Sequence, residues 1–169
     1  MLRKIHRVVG QVLEWVLITL MVALTVTVIV GVLYRKFGAS LSWYDEIASV
    51  MLAWITYYGA ALAALRRRHI GFDTLLLTLP PRPRMWATAL AEVLVLAFFA
   101  LLAWAGFEVV QVLRGDTLVS LRWMPVQLTQ SVIPVGAVLF IVAELLSLPF
   151  YWRAVREGIS LDHLEPEDA

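Results

Sequence analysis

Three glutamates within long apolar stretches are the residues of this sequence most able to do chemistry. Glu14, Glu92 and Glu144 each stand about two turns, roughly 8–12 Å, from one end of an apolar run. An ionisable group at such a depth in a bilayer is costly, so its presence is a functional hypothesis by default. A carboxylate there can pair with an arginine, meet a basic group of another protein or carry a proton.

These three uses of the glutamates remain open from the residues alone. A triple-arginine segment follows the second apolar run, at the same predicted membrane face, so pairing within the chain or snorkelling to that face is one interpretation. Contact with a basic residue on another subunit is a second, and proton transfer is a third. We therefore define a candidate inner polar layer, which consists of Glu14, Glu92, Glu144, Arg66, Arg67 and Arg68.

Two further carboxylates, Asp45 and Glu46, open the second apolar run. Acidic residues in a first helical turn favour the positive end of the helix dipole, and Ser42 is placed to cap the same helix. Trp43 stands beside them and offers an aromatic anchor for an interface. The sequence thus predicts either a stabilised helix start or a docking site for a partner, with Trp43, Asp45 and Glu46 as the candidate docking residues.

No catalytic, cofactor or metal site is predicted. Cysteine is absent, which excludes disulfides, thiolate metal sites and cysteine nucleophiles. The histidines His6, His69 and His163 all fall outside the apolar runs, where they are badly placed to be haem ligands inside a bundle. Basic residues are clustered too locally for a nucleic-acid-binding stripe. We expect neither an enzyme nor a nucleic-acid partner.

The elements that carry these residues are membrane spans. Of 169 residues, 61% are hydrophobic and 16% are charged, against about 25% charged in a typical soluble domain. Between Ile47 and Leu65 no residue is charged, and at about 1.5 Å per residue this length nearly matches a hydrocarbon core of roughly 30 Å. The predicted spans are residues 8–34, 43–65, 86–113 and 126–152. Pro134 is predicted to kink the last of them.

Lysine and arginine predict the orientation of these spans. With a cytoplasmic N-terminus, ten of the 14 basic residues fall inside and four outside. The four outside are Arg35, Lys36, Arg114 and Arg122. The link after span 2 carries spaced apolar residues over positions 70–79, which is too short to cross a bilayer but suits a helix lying in the interface. Residues 153–169 form a polar tail, predicted to be cytoplasmic and frayed.

The predicted fold is therefore an all-α integral membrane protein of one domain, residues 1–169. It has four transmembrane helices, both termini in the cytoplasm, and a short interfacial amphipathic helix between helices 2 and 3. Membrane lipid is expected to surround it.

The order and spacing of several short motifs resemble a known family. These motifs are Trp43-Tyr44-Asp45-Glu46, Trp54, Gly59-Ala60-Ala61-Leu62-Ala63, His69-Ile70, Asp73, Leu79-Pro80 and Ile133-Pro134-Val135-Gly136. Within a four-span chain of this length, they are similar to the small (Q-type) membrane subunit of tripartite ATP-independent periplasmic (TRAP) transporters. The first span, with Glu14, and the acidic tail match no motif of that family.

The resemblance implies a function that the residues alone do not. In that family a periplasmic binding protein captures an organic acid, and a large membrane subunit moves it inward, coupled to sodium. The small subunit is bound to the large one and looks like a scaffold for it, in the inner membrane of a bacterium. The alternative is an autonomous four-span cation or multidrug antiporter that uses a membrane glutamate, for which Glu14 is the candidate.

Overall fold

The computed structural model describes residues 2–66 and 78–157. Nearly all of the predicted interfacial helix, the two arginines Arg67 and Arg68, and the tail beyond Glu157 lie outside these ranges. Within them the chain is helical, and its β structure is one isolated bridge between Thr117 and Pro125.

Five helices make up the four spans. They are α1 (Leu2–Lys36), α2 (Tyr44–Leu65), α3 (Pro81–Val112), α4 (Val126–Gln130) and α5 (Val132–Glu157). Four stretches are long and apolar enough to cross a membrane, the fourth being α4 and α5 together. This confirms the prediction of an all-α chain with four spans, and its orientation stays a prediction.

The helices are longer than the apolar runs that predicted them. α1 and α3 begin several residues earlier than expected, and α5 continues past Trp152 to Glu157. Hydropathy locates only the part of a helix that suits hydrocarbon, whereas backbone hydrogen bonding continues into the polar interface. The first five residues of the predicted tail, 153–157, are therefore the last turn of α5.

The spans form a row in the order α1, α2, α5, α3. α2 packs along α5, α1 packs on α2, and α3 packs on α5, while α1 touches α5 only slightly. Within the described residues α1 and α3 share no extensive interface. In the most apolar stretch of the fourth span, 39% of the residues are buried within the chain, against 6% in the corresponding stretches of α1 and α3. The two outer helices thus keep most of their apolar surface uncovered.

Small side chains and stacked rings form the core between the inner helices. Ala61 and Ala64 of α2 are fully buried against Ala143 of α5 and its neighbours. Phe99 of α3 stacks on Phe140 of α5 with ring centroids 3.5 Å apart. In a bilayer, helices associate through such close packing rather than through the hydrophobic effect.

The fourth span is interrupted at Ser131, three residues before Pro134. A proline has no N–H to donate to the carbonyl four residues earlier, and its ring clashes with that carbonyl. The hydroxyl of Ser131 donates to the carbonyl of Leu128 at 2.7 Å across the interruption. The fourth span is therefore divided into two helices three residues before Pro134, and the predicted kink stays a prediction.

Candidate functional site

The predicted site residues lie at opposite ends of the helix row. We call one end the loop end, which comprises the start of α2 and the link of residues 113–125. We call the other the arginine end, where α2 ends, α3 begins and α5 ends. The two ends use their charged residues differently.

At the loop end, Glu46 binds a segment of its own chain. Its carboxylate accepts hydrogen bonds from the backbone N–H of Val119 at 3.1 Å and of Ser120 at 2.9 Å. The hydroxyl of Ser120 donates in turn to the carbonyl of Ser42 at 2.9 Å. Hydrogen bonds to an ionised carboxylate are stronger than those between neutral groups. Glu46 therefore fastens the 113–125 link across the start of α2.

The link held by Glu46 has a defined shape. Gly115 turns it with φ of +93°, a conformation that side chains with a Cβ rarely adopt. The backbone N–H of Leu118 donates to the carbonyl of Met124 at 3.0 Å, which closes a narrow turn. At the surface of this turn Val119 is 88% exposed and Trp123 is 77% exposed. The loop end thus presents two large apolar side chains on an ordered segment.

Ser42, Trp43 and Asp45, the residues beside Glu46 in the sequence, make no such side-chain hydrogen bond to the link among the described residues. α2 begins at Tyr44 with Trp43 as N-cap residue, and no side chain caps it by a hydrogen bond. The prediction that Ser42 caps α2 is wrong, because Trp43 occupies the N-cap position and no side-chain oxygen accepts from the first turn. Asp45 is exposed, whereas Trp43 is half-buried. Of the two carboxylates among the candidate docking residues, the one that binds another segment of the described chain is Glu46.

Below the loop end, α4 and the break at Ser131 are held from both sides. The indole N–H of Trp54 in α2 donates to the carbonyl of Thr129 at 3.1 Å. The amide of Gln127 donates to the carbonyl of Val110 in α3, also at 3.1 Å. A helix break exposes backbone carbonyls, and in a membrane these need partners from the protein.

Two glycines allow the helices to come this close. A Cβ built on Gly136 of α5 would lie 2.6 Å from the Cβ of Tyr57 in α2. A Cβ on Gly106 of α3 would lie 3.0 Å from the backbone nitrogen of Pro134. Both distances are shorter than van der Waals contact, so these positions require glycine for packing. The middle of the spans, between the two ends, is thus closely packed.

At the arginine end, Glu14 of α1 forms an ion pair with Arg66, the residue after α2. Their side chains are 40% and 44% exposed, so water screens the pair. His6 donates from Nε2 to the carbonyl of Leu65 at 2.9 Å. These contacts join the start of α1 to the end of α2.

The other two glutamates of the predicted layer are buried. Glu92 is 8% exposed and Glu144 is 4% exposed. Ser147, one turn beyond Glu144, donates to the carbonyl of Ala64 at 3.3 Å, near the end of α2. Arg67 and Arg68 lie outside the described residues, so the inner polar layer as a whole stays a prediction.

Two residues that the sequence analysis missed share a face of α3 with Glu92. Arg84 is 8% exposed and Thr88 is 1% exposed, and the Thr88 hydroxyl donates to the Arg84 carbonyl at 3.0 Å. The three residues are spaced four apart, which places them on one face of a helix. The spacing is visible in the sequence, but Arg84 lies outside the predicted span of residues 86–113, so the three residues did not stand out as one face.

Across residues 2–66 and 78–157, no group of three or more His, Asp or Glu side chains is placed to hold a metal ion. The same residues form exposed apolar surfaces, closely packed helices and the ion pair of Glu14 with Arg66.

A comparison with protein families gives one finding. The sequence model of the family described as "Tripartite ATP-independent periplasmic transporters, DctQ component" matches residues 24–154, well over half of the chain. The matched range includes Asp45, Glu46, Glu92 and Glu144 but not Glu14. No curated protein matches the chain.

Proposed function

Because the chain belongs to the DctQ component family of TRAP transporters, a family of transporter components rather than enzymes, we propose that it braces the large membrane subunit of such a transporter. In this role it supports the sodium-coupled uptake of an organic acid, which a periplasmic binding protein delivers. The chain itself is a multi-pass membrane protein with four spans.

The open row of helices is the observation that carries this proposal. α1 and α3 form free edges of the row, and each keeps a long apolar surface uncovered. On α3 this surface includes Leu101 and Trp104, exposed by 61% and 64%. A row has broad faces and free edges, which is the shape expected of a brace laid against a larger membrane protein. We propose that the large subunit covers part of these edges and lipid covers the rest.

We further propose that the loop end faces the periplasm, in the inner membrane of a bacterium. The ten-to-four distribution of basic residues supports this orientation. On that side Asp45, Val119 and Trp123 are exposed on an ordered surface. These three residues are the ones we propose for contact with the binding protein or with the outer part of the large subunit. Glu46 acts indirectly, by holding the link in place.

Reconstitution tests the proposed role. Proteoliposomes that contain the large subunit, this chain and the binding protein should take up the organic acid when a sodium gradient is applied. Omission of this chain should abolish uptake, and this chain alone should transport nothing. Exchange of protons for cations or drugs by this chain alone would instead establish the antiporter. The ion pair between Glu14 and Arg66 argues against that outcome, because it engages the carboxylate that the antiporter needs.

Labelling of single cysteines tests the orientation, and the chain has no cysteine to interfere. A cysteine at Ser40 or at Gly115 should react with an impermeant thiol reagent in intact cells. A cysteine at Pro83 should react only after the cells are opened. Labelling of the Pro83 variant in intact cells would reverse the orientation.

A further inference from the structure

The arginine end contains a hollow between α3 and α5. It has a volume of about 520 Å³ and is lined by Met85, Trp152, Arg153 and Arg156. Arg153 and Arg156 are exposed on the last turn of α5, one turn apart. The walls of the hollow therefore combine two guanidinium groups with apolar and aromatic surface.

Basic residues predominate around this hollow. Residues 78–91 and 145–156, which form the adjoining ends of α3 and α5, include four arginines, and Glu157 follows Arg156 as the last residue of α5. Arg84 adjoins Met85 in sequence and is only 8% exposed, and its Nε has no hydrogen-bond partner among the described residues. The nearest carboxylate on its own helix, Glu92, is about 12 Å away along the axis. Arginines outnumber acidic residues at these helix ends, so this end of the molecule favours an anion.

An exposed apolar strip on α3 begins at Trp86, the residue after Met85, and runs along the helix toward the middle of the span. On α3, Trp86, Leu90, Val93 and Leu94 are exposed by 78%, 62%, 62% and 60%. A tryptophan at the start of such a strip is typical of the membrane–water interface. An anion held in the hollow and attached to an acyl chain would lay that chain along the strip. A free inorganic anion would make no use of it.

We propose that the hollow binds the headgroup of an anionic phospholipid. Arg153 and Arg156 bind its phosphate, and the strip of Trp86, Leu90 and Leu94 receives an acyl chain. Guanidinium groups bind phosphate oxygens through paired hydrogen bonds. Basic pockets between transmembrane helices at a membrane face are known binding sites for anionic headgroups. This inference does not depend on the proposed brace function.

The test uses the full chain in a neutral detergent, with phosphatidylglycerol or phosphatidylcholine of the same acyl chains added. Native mass spectrometry measures retained lipid, and the shift of the unfolding midpoint gives the apparent affinity. Phosphatidylglycerol should bind, and phosphatidylcholine should bind much more weakly. The Arg153→Gln/Arg156→Gln variant should bind phosphatidylglycerol about thirtyfold more weakly, from the loss of two arginines at an anionic headgroup.

The matched control is Arg114→Gln/Arg122→Gln, which removes two exposed arginines at the loop end and should leave binding unchanged. Equal binding of the two lipids, or an equal loss in the control variant, would overturn the proposal. Inorganic phosphate that protects the chain as well as the lipid does would show a site for a free anion and would also overturn it. If the double variant does not fold, each single glutamine variant must still weaken binding severalfold.

Discussion

Glu46 at the loop end and Arg84 at the arginine end are both charged residues near the start of a helix, and the fold treats them in opposite ways. Glu46 is satisfied by two backbone N–H groups of its own chain. Arg84 is nearly buried, and its Nε has no partner among the described residues. The hydrogen bonds of Glu46 therefore fasten two segments of the chain, whereas those of Arg84 are incomplete within the described residues.

Packing also differs along the row of helices. In the middle of the spans, Gly106 and Gly136 let the helices approach until no Cβ fits between them. Close packing extends to Ala64 and Leu65 at the end of α2. The open space at the arginine end is the hollow of about 520 Å³ between α3 and α5.

The largest effect is expected at Gly136. In Gly136→Ala the new Cβ would lie 2.6 Å from the Cβ of Tyr57, an atom that cannot move without its backbone. We expect the free energy of unfolding to fall by about 3 kcal/mol, the upper part of the usual range for overpacking. Thermal unfolding in detergent, followed by tryptophan fluorescence, measures it.

The matched control for Gly136→Ala is Gly59→Ala on α2. There the nearest atom to a new Cβ is a side-chain carbon of Leu17 at 4.0 Å. That variant should be neutral or more stable, by up to about 1 kcal/mol, because alanine favours a helix more than glycine does. Equal loss of stability in both variants would show that the close approach of α5 to Tyr57 is not the reason that position 136 needs glycine.

The next effect concerns the carboxylate of Glu46. Glu46→Ala removes the acceptor of two backbone N–H groups, and a hydrogen bond to a charged group contributes about 1.5–3 kcal/mol. Because these N–H groups are near the surface and water can replace the carboxylate, we expect a loss of about 2 kcal/mol. Limited proteolysis should also cut the chain faster between Leu118 and Met124.

Asp45 provides the comparison for Glu46. Asp45→Asn should cost only about 0.3–1 kcal/mol, because an exposed carboxylate there acts only through the helix dipole. Its effect should appear instead in co-purification with the large subunit, if the proposed contact at Asp45 exists. Unchanged co-purification of Asp45→Asn, with normal uptake, would remove Asp45 from the proposed surface.

A smaller effect is expected at Trp54. Trp54→Phe keeps an aromatic ring but removes the N–H that binds the carbonyl of Thr129. The expected loss of unfolding free energy is about 1 kcal/mol, typical of one hydrogen bond. Trp86→Phe is the control, since Trp86 is 78% exposed, and it should change stability little. A larger loss in the control would contradict the assignment of Trp54 as a support of the helix break.

The smallest effect is expected for the ion pair at the arginine end. A double-mutant cycle with Glu14→Gln and Arg66→Gln measures the coupling energy of the pair. We expect about 0.2–1 kcal/mol, because both side chains are close to half exposed. A coupling energy above about 2 kcal/mol would mean that the arginine end is held as firmly as the loop end, and the contrast would fail.

Much of the fold was predictable because it depends on local properties of the chain. Uncharged runs of membrane length, such as Ile47–Leu65, predict spans without any knowledge of neighbours. Pro134 predicts a disturbed helix because its ring acts on the preceding turn of the same helix, and the fourth span is divided at Ser131. The motifs from Trp43 to Gly136 were enough to indicate the family. The predicted spans begin too late for α1 and α3 and end too early for α5. Hydropathy does not detect the helical turns that extend from the membrane into water.

The partners of the polar residues were decided only by the tertiary structure. Glu46 lies 74 residues from Ser120 in the chain, and Trp54 lies 75 residues from Thr129. Contacts at such separations depend on which helices are neighbours in the row, and a sequence of apolar spans is compatible with many orders. Residue types alone therefore determined that burying these carboxylates and arginines within the membrane would cost free energy. Only the packing of α1, α2, α5 and α3 decided which of them the chain itself satisfies, because that outcome depends on distances between helices.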